Sequence, residues 1–242
     1  MTLSIIILFC DDDVQYLSKS LECIKNHIKI PHQVILWDNR NTNKDALPKG
    51  DYELYSQGHN IYPFEGRRCG FEKATGDFIW FVDVDDEIIG DILPEDVSDL
   101  ENIDLVQMYM KTENGGLPVG TFHGQLRAFQ DSLASRLIRR TFLEDLYKPI
   151  TKRGINLIKF EDTFLSDLII QHNPRVKYLD KVVYFYITER SLLLSGNTTE
   201  DKIKQADVGF ENIPYLYQFL KDCDIKIKMA TYARNEMLHS PN

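Results

Sequence analysis

The sequence predicts an α/β protein: a mostly parallel central sheet flanked by helices, with a small antiparallel portion and a carboxyl-terminal helix. Three observations predict it. Strand-like apolar runs alternate with helix-period segments through residues 4–87, the order that builds parallel strands joined by crossover helices. The runs are continuously apolar, as expected of strands buried on both faces. One of them, Phe78–Val82, ends abruptly in Asp83, Asp85, Asp86 and Glu87, at the strand end where open α/β sheets bind ligands.

The elements follow in order. Ser4–Phe9 reads as a first strand, and Val14–Ile28 as a helix with Leu17, Leu21, Ile24 and Ile28 on one face. Asp11–Asp13 offer that helix an N-cap and favourable negative charge. Val34–Trp37 is a second strand, closed by the polar run DNRNTNKD, and Tyr52–Tyr55 a short third. Phe64–Ala74 reads as a helix with Gly76 in the C-terminal capping role, after which Phe78–Val82 returns as strand. Asp104–Met110 is strand-like, and KTENGGLPVGTFHG reads as a turn region joining two antiparallel strands. Ser135–Tyr147 is expected to be helical. Phe160, Phe164, Leu165, Leu168 and Ile169 share a helical face with Glu161 and Asp162 in its first turn. Lys177–Ile187 reads as strand, and Glu200–Leu220 as a closing amphipathic helix. The chain shows neither internal repeat nor low-complexity linker, so residues 1–242 are expected to form one domain. Trp37 and Trp80 lie inside apolar runs and are expected in the core.

Composition narrows the function classes. Of 242 residues, 43% are hydrophobic and 27% charged, as in an ordinary globular protein, and the net charge of -9 gives no support to a broad nucleic-acid footprint. Arg136, Arg139, Arg140, Lys148, Lys152 and Arg153 offer at most a local basic strip, with a solvated helix face as the plainer reading. Cys10, Cys23, Cys69 and Cys223 are scattered without metal-ligand spacing and read as reduced thiols. The amino terminus lacks a positive charge before its apolar run and is expected to be a buried strand rather than a signal peptide. No other stretch approaches the ~20 apolar residues of a membrane span, so a cytoplasmic protein is expected, with any membrane association peripheral at the inner face.

The carboxylates at Asp83–Glu87, taken alone, fit either a divalent cation site or a solvated acidic turn. A calcium loop of the EF-hand type is disfavoured because Ile88 stands where its sharp turn needs glycine. Nucleotidyl transfer would need a Gly-rich phosphate loop after the first strand, and Phe9–Asp13 holds no glycine. Asp38 ends the second strand and is suited to turn initiation. Asp162 has two roles open to it, capping the helix it opens or taking a proton from an attacking hydroxyl.

Four segments in sequence order resemble family 2 glycosyltransferases of the GT-A (Rossmann-like) fold. SIIILFCDDDVQYLSKSLECI resembles the family's opening strand and helix, and VILWDNRNT its second strand and Asp-rich loop. GRRCGFEKATGDFIWFVDVDDEI resembles the Ala-Arg-Asn-x-Gly helix leading into the Asp-x-Asp strand, and KFEDTFLSDLI the later Glu-Asp helix. The resemblance implies an inverting, metal-dependent transferase that moves a sugar from a nucleotide-diphosphate sugar, UDP by family frequency, to an acceptor hydroxyl in surface-glycan synthesis. It divides the chain into a nucleotide-sugar half at 1–110, an acceptor-side half at 111–199 and a helical region at 200–242.

Carried over residue by residue, the resemblance assigns Asp11 and Asp38 to the nucleotide, Arg67 to the diphosphate, and Asp83 to the ribose or metal. Asp85 becomes the main ligand of Mn2+ or Mg2+, with Asp86 a backup, and Asp162 the general base. Arg190 falls in a segment over the donor phosphates, while Glu161 and His123 are acceptor contacts. The sequence departs from the family at Asn39 and Arg40, where Asp and Gly are usual, at Arg68 for the usual Asn, and in the first loop. The acceptor is expected to be a glycan, a lipid-linked sugar or, as in a phage enzyme, a modified DNA base; a non-catalytic nucleotide-sugar-binding module is the alternative.

Overall fold

The computed structural model describes residues 1–40, 42, 44–112, 132–153 and 161–187. Its sheet holds eight strands in the order β3-β2-β1-β4-β7-β6-β8-β5. β1 (Leu3–Phe9), β2 (His32–Asp38), β3 (Glu53–Ser56) and β4 (Phe78–Asp83) are mutually parallel. Here α1 (Val14–His27) and α2 (Tyr62–Lys73) supply crossovers. After a turn come β5 (Glu87–Ile88), β6 (Leu105–Thr112), β7 (Arg136–Arg139), α3 (Arg140–Arg153), α4 (Glu161–Gln171) and β8 (Val176–Tyr186). β7 runs antiparallel to both β4 and β6, and β5 antiparallel to β8, while β6 and β8 are parallel. This is the mostly parallel sheet with a small antiparallel portion that the sequence predicts.

Strand alternation splits the core into two layers. Ile5, Ile7, Leu36, Trp80 and Val82 face a layer that includes Leu17 and Ile24 of α1. Ile6, Ile35, Ile79 and Phe81 face the opposite layer, with Phe64 of α2, Leu143 and Leu146 of α3, and Phe164 and Leu168 of α4. Helices α2, α3 and α4 therefore share one face, which brings the start of α4 beside α2. The close fit of α2 has a local cause: a Cβ on Gly70 would come within 2.6 Å of the Ile6 side chain. Trp80 is fully buried and donates its indole N–H to the Ala134 carbonyl at 2.5 Å, and Trp37 is buried as well.

Four expectations are corrected. Residues 136–139 form strand β7, not helix, because Leu137 and Ile138 fill opposite core layers, a period of two too short-lived to stand out in sequence. The local basic strip that the sequence offered as its less plain reading loses two members with it: Arg136 is buried and bonded to Gln107 and Ser166, and Arg139 donates to the Leu100 and Ile103 carbonyls. Gly76 does not cap α2, whose C-cap is Ala74. Gly76 instead passes so close to β1 that a Cβ would lie 2.6 Å from the Ser4 nitrogen, and its N–H donates to Ser4 Oγ. Asp13 makes no side-chain cap on α1; its carboxylate accepts from the Cys10 N–H at 2.8 Å and the Cys10 thiol at 3.1 Å.

Candidate active site

Parallel register places the ends of three strands side by side. Phe9 pairs with Asp38 and Leu8 with Asp83, so Asp11, Asp38 and Asp83 all lie at the carboxyl edge of the sheet. Asp11 is exposed just past β1. Asp38 is buried, and its carboxylate accepts the Arg40 and Thr42 N–H groups at 3.1 and 2.6 Å and the Thr42 hydroxyl at 3.1 Å. These bonds shape the loop after β2, the turn-forming role that an aspartate side chain suits.

Arg67 organises the centre. Its guanidinium, with the residue only 8% exposed, reaches Asp83 at 3.1 Å, Glu161 at 2.7 Å and Asp162 at 3.3 Å. A single cation thus meets three carboxylates, one from β4 and two from the first turn of α4. Fully ionised, this knot keeps a surplus of negative charge. Burial pushes the Asp162 carboxyl above the ordinary carboxylate range, with Arg67 pulling it down and Glu161 and Asp83 adding upward pressure. Among the described residues the buried Asp162 Oδ1 has the Arg67 ion pair but no partner in hydrogen-bond geometry, though the side chain as a whole stays 32% exposed. Arg68 turns elsewhere on α2 and is held by Glu65 and Glu72.

The turn after β4 separates the acids into different environments. Asp83 keeps 38% side-chain exposure and Asp85 is half-buried, whereas Asp86 is only 3% exposed. Asp86 accepts from the Tyr184 hydroxyl at 2.8 Å and from the Ile187 N–H at 2.9 Å. The structure thus gives Asp86, the backup metal ligand expected from sequence, a place inside the fold. No trio of His, Cys, Asp or Glu forms a complete metal cage among the described residues. The surplus charge at Asp83, Asp85 and the Arg67 knot fits a cation that completes its shell with a ligand's phosphates, as magnesium-type sites do. His123 and Arg190 lie outside the described residues.

Cys10, Cys23 and Cys69 are free, and burial with the Asp13 contact pushes the Cys10 thiol up to about 12, which makes it a poor nucleophile. No helix among the described residues is long and apolar enough to cross a membrane. Sequence reasoning missed Tyr184, since nothing in its VVYFY strand pattern marks one tyrosine as a partner for Asp83, 101 positions away.

The profile of glycosyl transferase family 2 matches residues 4–161, well over half of the chain. The chain belongs to that family. It is a glycosyltransferase, and its fold is the GT-A fold of its structural neighbours. S. aureus TarS residues 1–349 superpose with a TM-score of 0.59 at 18% identity, over 86% of this chain and 69% of that one. The same fragment in complex with UDP-GlcNAc gives 0.62 at 20%, over 85% and 64%. GalNAc-T7 with UDP, GalNAc and Mn2+ gives 0.62 at 15%, over 100% and 58%. At these identities the likeness is one of fold, and the glycosyltransferase spans less than two thirds of the last two chains. No curated protein matches it.

Proposed function

We propose that this glycosyltransferase moves a sugar from a nucleoside-diphosphate sugar, UDP-linked, to an acceptor hydroxyl with inversion at the anomeric carbon. The observation that carries this reading is the Arg67 knot, which joins Asp83 at the end of β4 to Glu161 and Asp162 at the start of α4. It brings a phosphate-side acid and a candidate base to one guanidinium. The UDP-bound TarS and GalNAc-T7 neighbours support the donor class, and family resemblance supports inversion, a surface-glycan acceptor and a cytoplasmic setting.

The chemistry follows from the residues. Asp162 takes the proton of the acceptor hydroxyl as its oxygen bonds to the anomeric carbon; the bond from that carbon to the diphosphate breaks and its electron pair leaves with the nucleotide. Inversion needs one displacement and one base, with no covalent intermediate. The raised carboxyl of Asp162 favours its work as base, since a stronger base accepts a proton more readily provided the pH leaves it ionised. Asp83 and Asp85 would hold Mn2+ or Mg2+, which when bound stabilises the negative charge growing on the departing diphosphate. Asp11 and Asp38 are assigned to the nucleotide side, Arg190 to the diphosphate, and Glu161 and His123 to the acceptor. Arg67, assigned to the diphosphate, has its guanidinium engaged by carboxylates and so also orders the end of β4 against the start of α4.

The test is donor binding and turnover with and without Mn2+. Asp85→Asn is expected to lose metal-dependent donor binding, and Asp162→Asn to bind donor normally while losing transfer. Equal activity of wild type and Asp85→Asn would remove the metal assignment. Loss of donor binding together with transfer in Asp162→Asn would make that residue structural.

A further inference from the structure

The turn that carries Asp83 and Asp85 is fastened to a strand that contributes none of the residues so far assigned to the reaction. β7 pairs with β4 only at Phe78 and Ile79. Further along, the Asp83 N–H finds its acceptor in the hydroxyl of Tyr184, at 3.1 Å. That hydroxyl donates its own proton to Asp86 Oδ2 at 2.8 Å, and Asp86 Oδ1 accepts from the Ile187 N–H at 2.9 Å. The backbone closes the same turn through Asp86 N–H to Asp83 O at 3.3 Å. Tyr184 is fully buried, its ring packed 6.4 Å from Trp80 of β4, and β5 continues the attachment by pairing Ile88 with Tyr184.

From this geometry we infer that Tyr184 and Asp86 are positioning residues: they fix the turn so that Asp83 and Asp85 present their carboxylates to the metal and diphosphate of the donor. The inference rests on the donor-site reading above. Burying a carboxylate costs several kcal/mol unless its oxygens are satisfied, and an apolar pair would join β5 to β8 without that cost. What an apolar pair lacks is a group that accepts from the Asp83 N–H and holds the side chain three residues on. Tyr184 does both with one oxygen, so the spacing from Asp83 to Asp86 is set from β8 rather than by the turn alone.

The experiment measures Mn2+-dependent UDP binding by calorimetry, and thermal stability, for wild type, Tyr184→Phe, Asp86→Asn and Ile138→Val. The last trims the opposite core layer and serves as a control for lowered stability. Tyr184→Phe is expected to weaken UDP binding in the presence of Mn2+ about tenfold, the equivalent of one lost hydrogen bond's worth of positioning. UDP binding without metal should be unchanged, and Ile138→Val should lose stability without losing affinity. Asp86→Asn, which keeps one acceptor oxygen, is expected to fall between wild type and Tyr184→Phe and supplies the measurement if Tyr184→Phe does not fold. Tyr184→Phe and Asp86→Asn that lose stability while binding Mn2+ and UDP as wild type does would overturn the inference alone. Absence of Mn2+-dependent UDP binding by wild type would overturn the donor-site reading, and the inference with it.

Discussion

On its α2–α4 side the Asp83–Asp86 turn meets a charged knot, Arg67 with three carboxylates, two of which keep 32% and 38% side-chain exposure; on its β8 side it meets Tyr184 and Asp86, buried and joined by short hydrogen bonds. The difference teaches how such a site divides its labour. Two of the knot's carboxylates keep contact with solvent, where a lost partner is replaced by water at little cost, so the knot is suited to give up one of these contacts when a phosphate or a cation arrives. A buried, fully satisfied network has no cheaper alternative, so the brace is suited to hold geometry. The strongest test of this division replaces one group on each side and asks whether chemistry or geometry is lost.

The largest effect is expected at Asp162. A positioned general base contributes about 10²- to 10⁴-fold, so Asp162→Asn should lower the transfer rate within that range with donor affinity intact, as single-turnover and binding measurements would show. A rate within a factor of two of wild type would place the base elsewhere. Next comes Arg67→Met, which removes the cation shared by Asp83, Glu161 and Asp162. Leaving buried carboxylates uncompensated costs about 3–5 kcal/mol, discounted here because two of the three reach solvent. Denaturant unfolding should therefore show a loss at the lower end of that range at pH 8, shrinking at lower pH as Asp162 takes up its proton. A loss independent of pH would show that Arg67 acts by packing alone.

The pH dependence of stability sharpens the same comparison with a smaller effect. The folded state holds the Asp162 proton to higher pH than the unfolded chain does. Between the unfolded and the folded value the folded state binds more protons, so stability falls as pH rises through that window. Asp162→Asn cannot titrate and should flatten the fall between the ordinary carboxylate range and neutrality. Thermal melts across that range measure it; identical slopes for wild type and variant would mean that Arg67 holds the carboxyl ionised throughout.

Much of the fold was legible because its signals are local. Continuous apolar runs marked β1, β2 and β4, and the alternating four- and three-residue spacing of Leu17, Leu21 and Ile24 marked α1. β7 was hidden because four residues inserted between β4 and β6 hold their place through long-range pairing, with Arg136 buried against Gln107 and Ser166. At the site, the acids at Asp83, Asp85 and Asp162 stood out as charges at element ends. Their organisation did not: whether Arg67 faces a ligand or a carboxylate, and whether Asp86 faces solvent or Tyr184, depends on which helix lies beside which strand. Chemistry readable from residue type was read; chemistry set by partners about a hundred residues away was not.

The smallest effect compares two buried tyrosines. Tyr184 spends its hydroxyl on Asp83 and Asp86. Tyr147 of α3, buried among Phe64 and Phe71, has no partner for its hydroxyl among the described residues. Removing a hydroxyl that leaves two buried partners stranded costs about 1–3 kcal/mol, whereas removing one that has none is close to neutral. Tyr147→Phe keeps the ring and its contacts, so its melting temperature should match wild type or exceed it slightly, while Tyr184→Phe should lose stability by about the amount of that penalty. Equal losses in the two variants would mean that Tyr147 is hydrogen-bonded in solution through an ordered water. In that case the α3 side would carry a brace of its own, and rigid support would no longer distinguish β8 from the charged side of the turn.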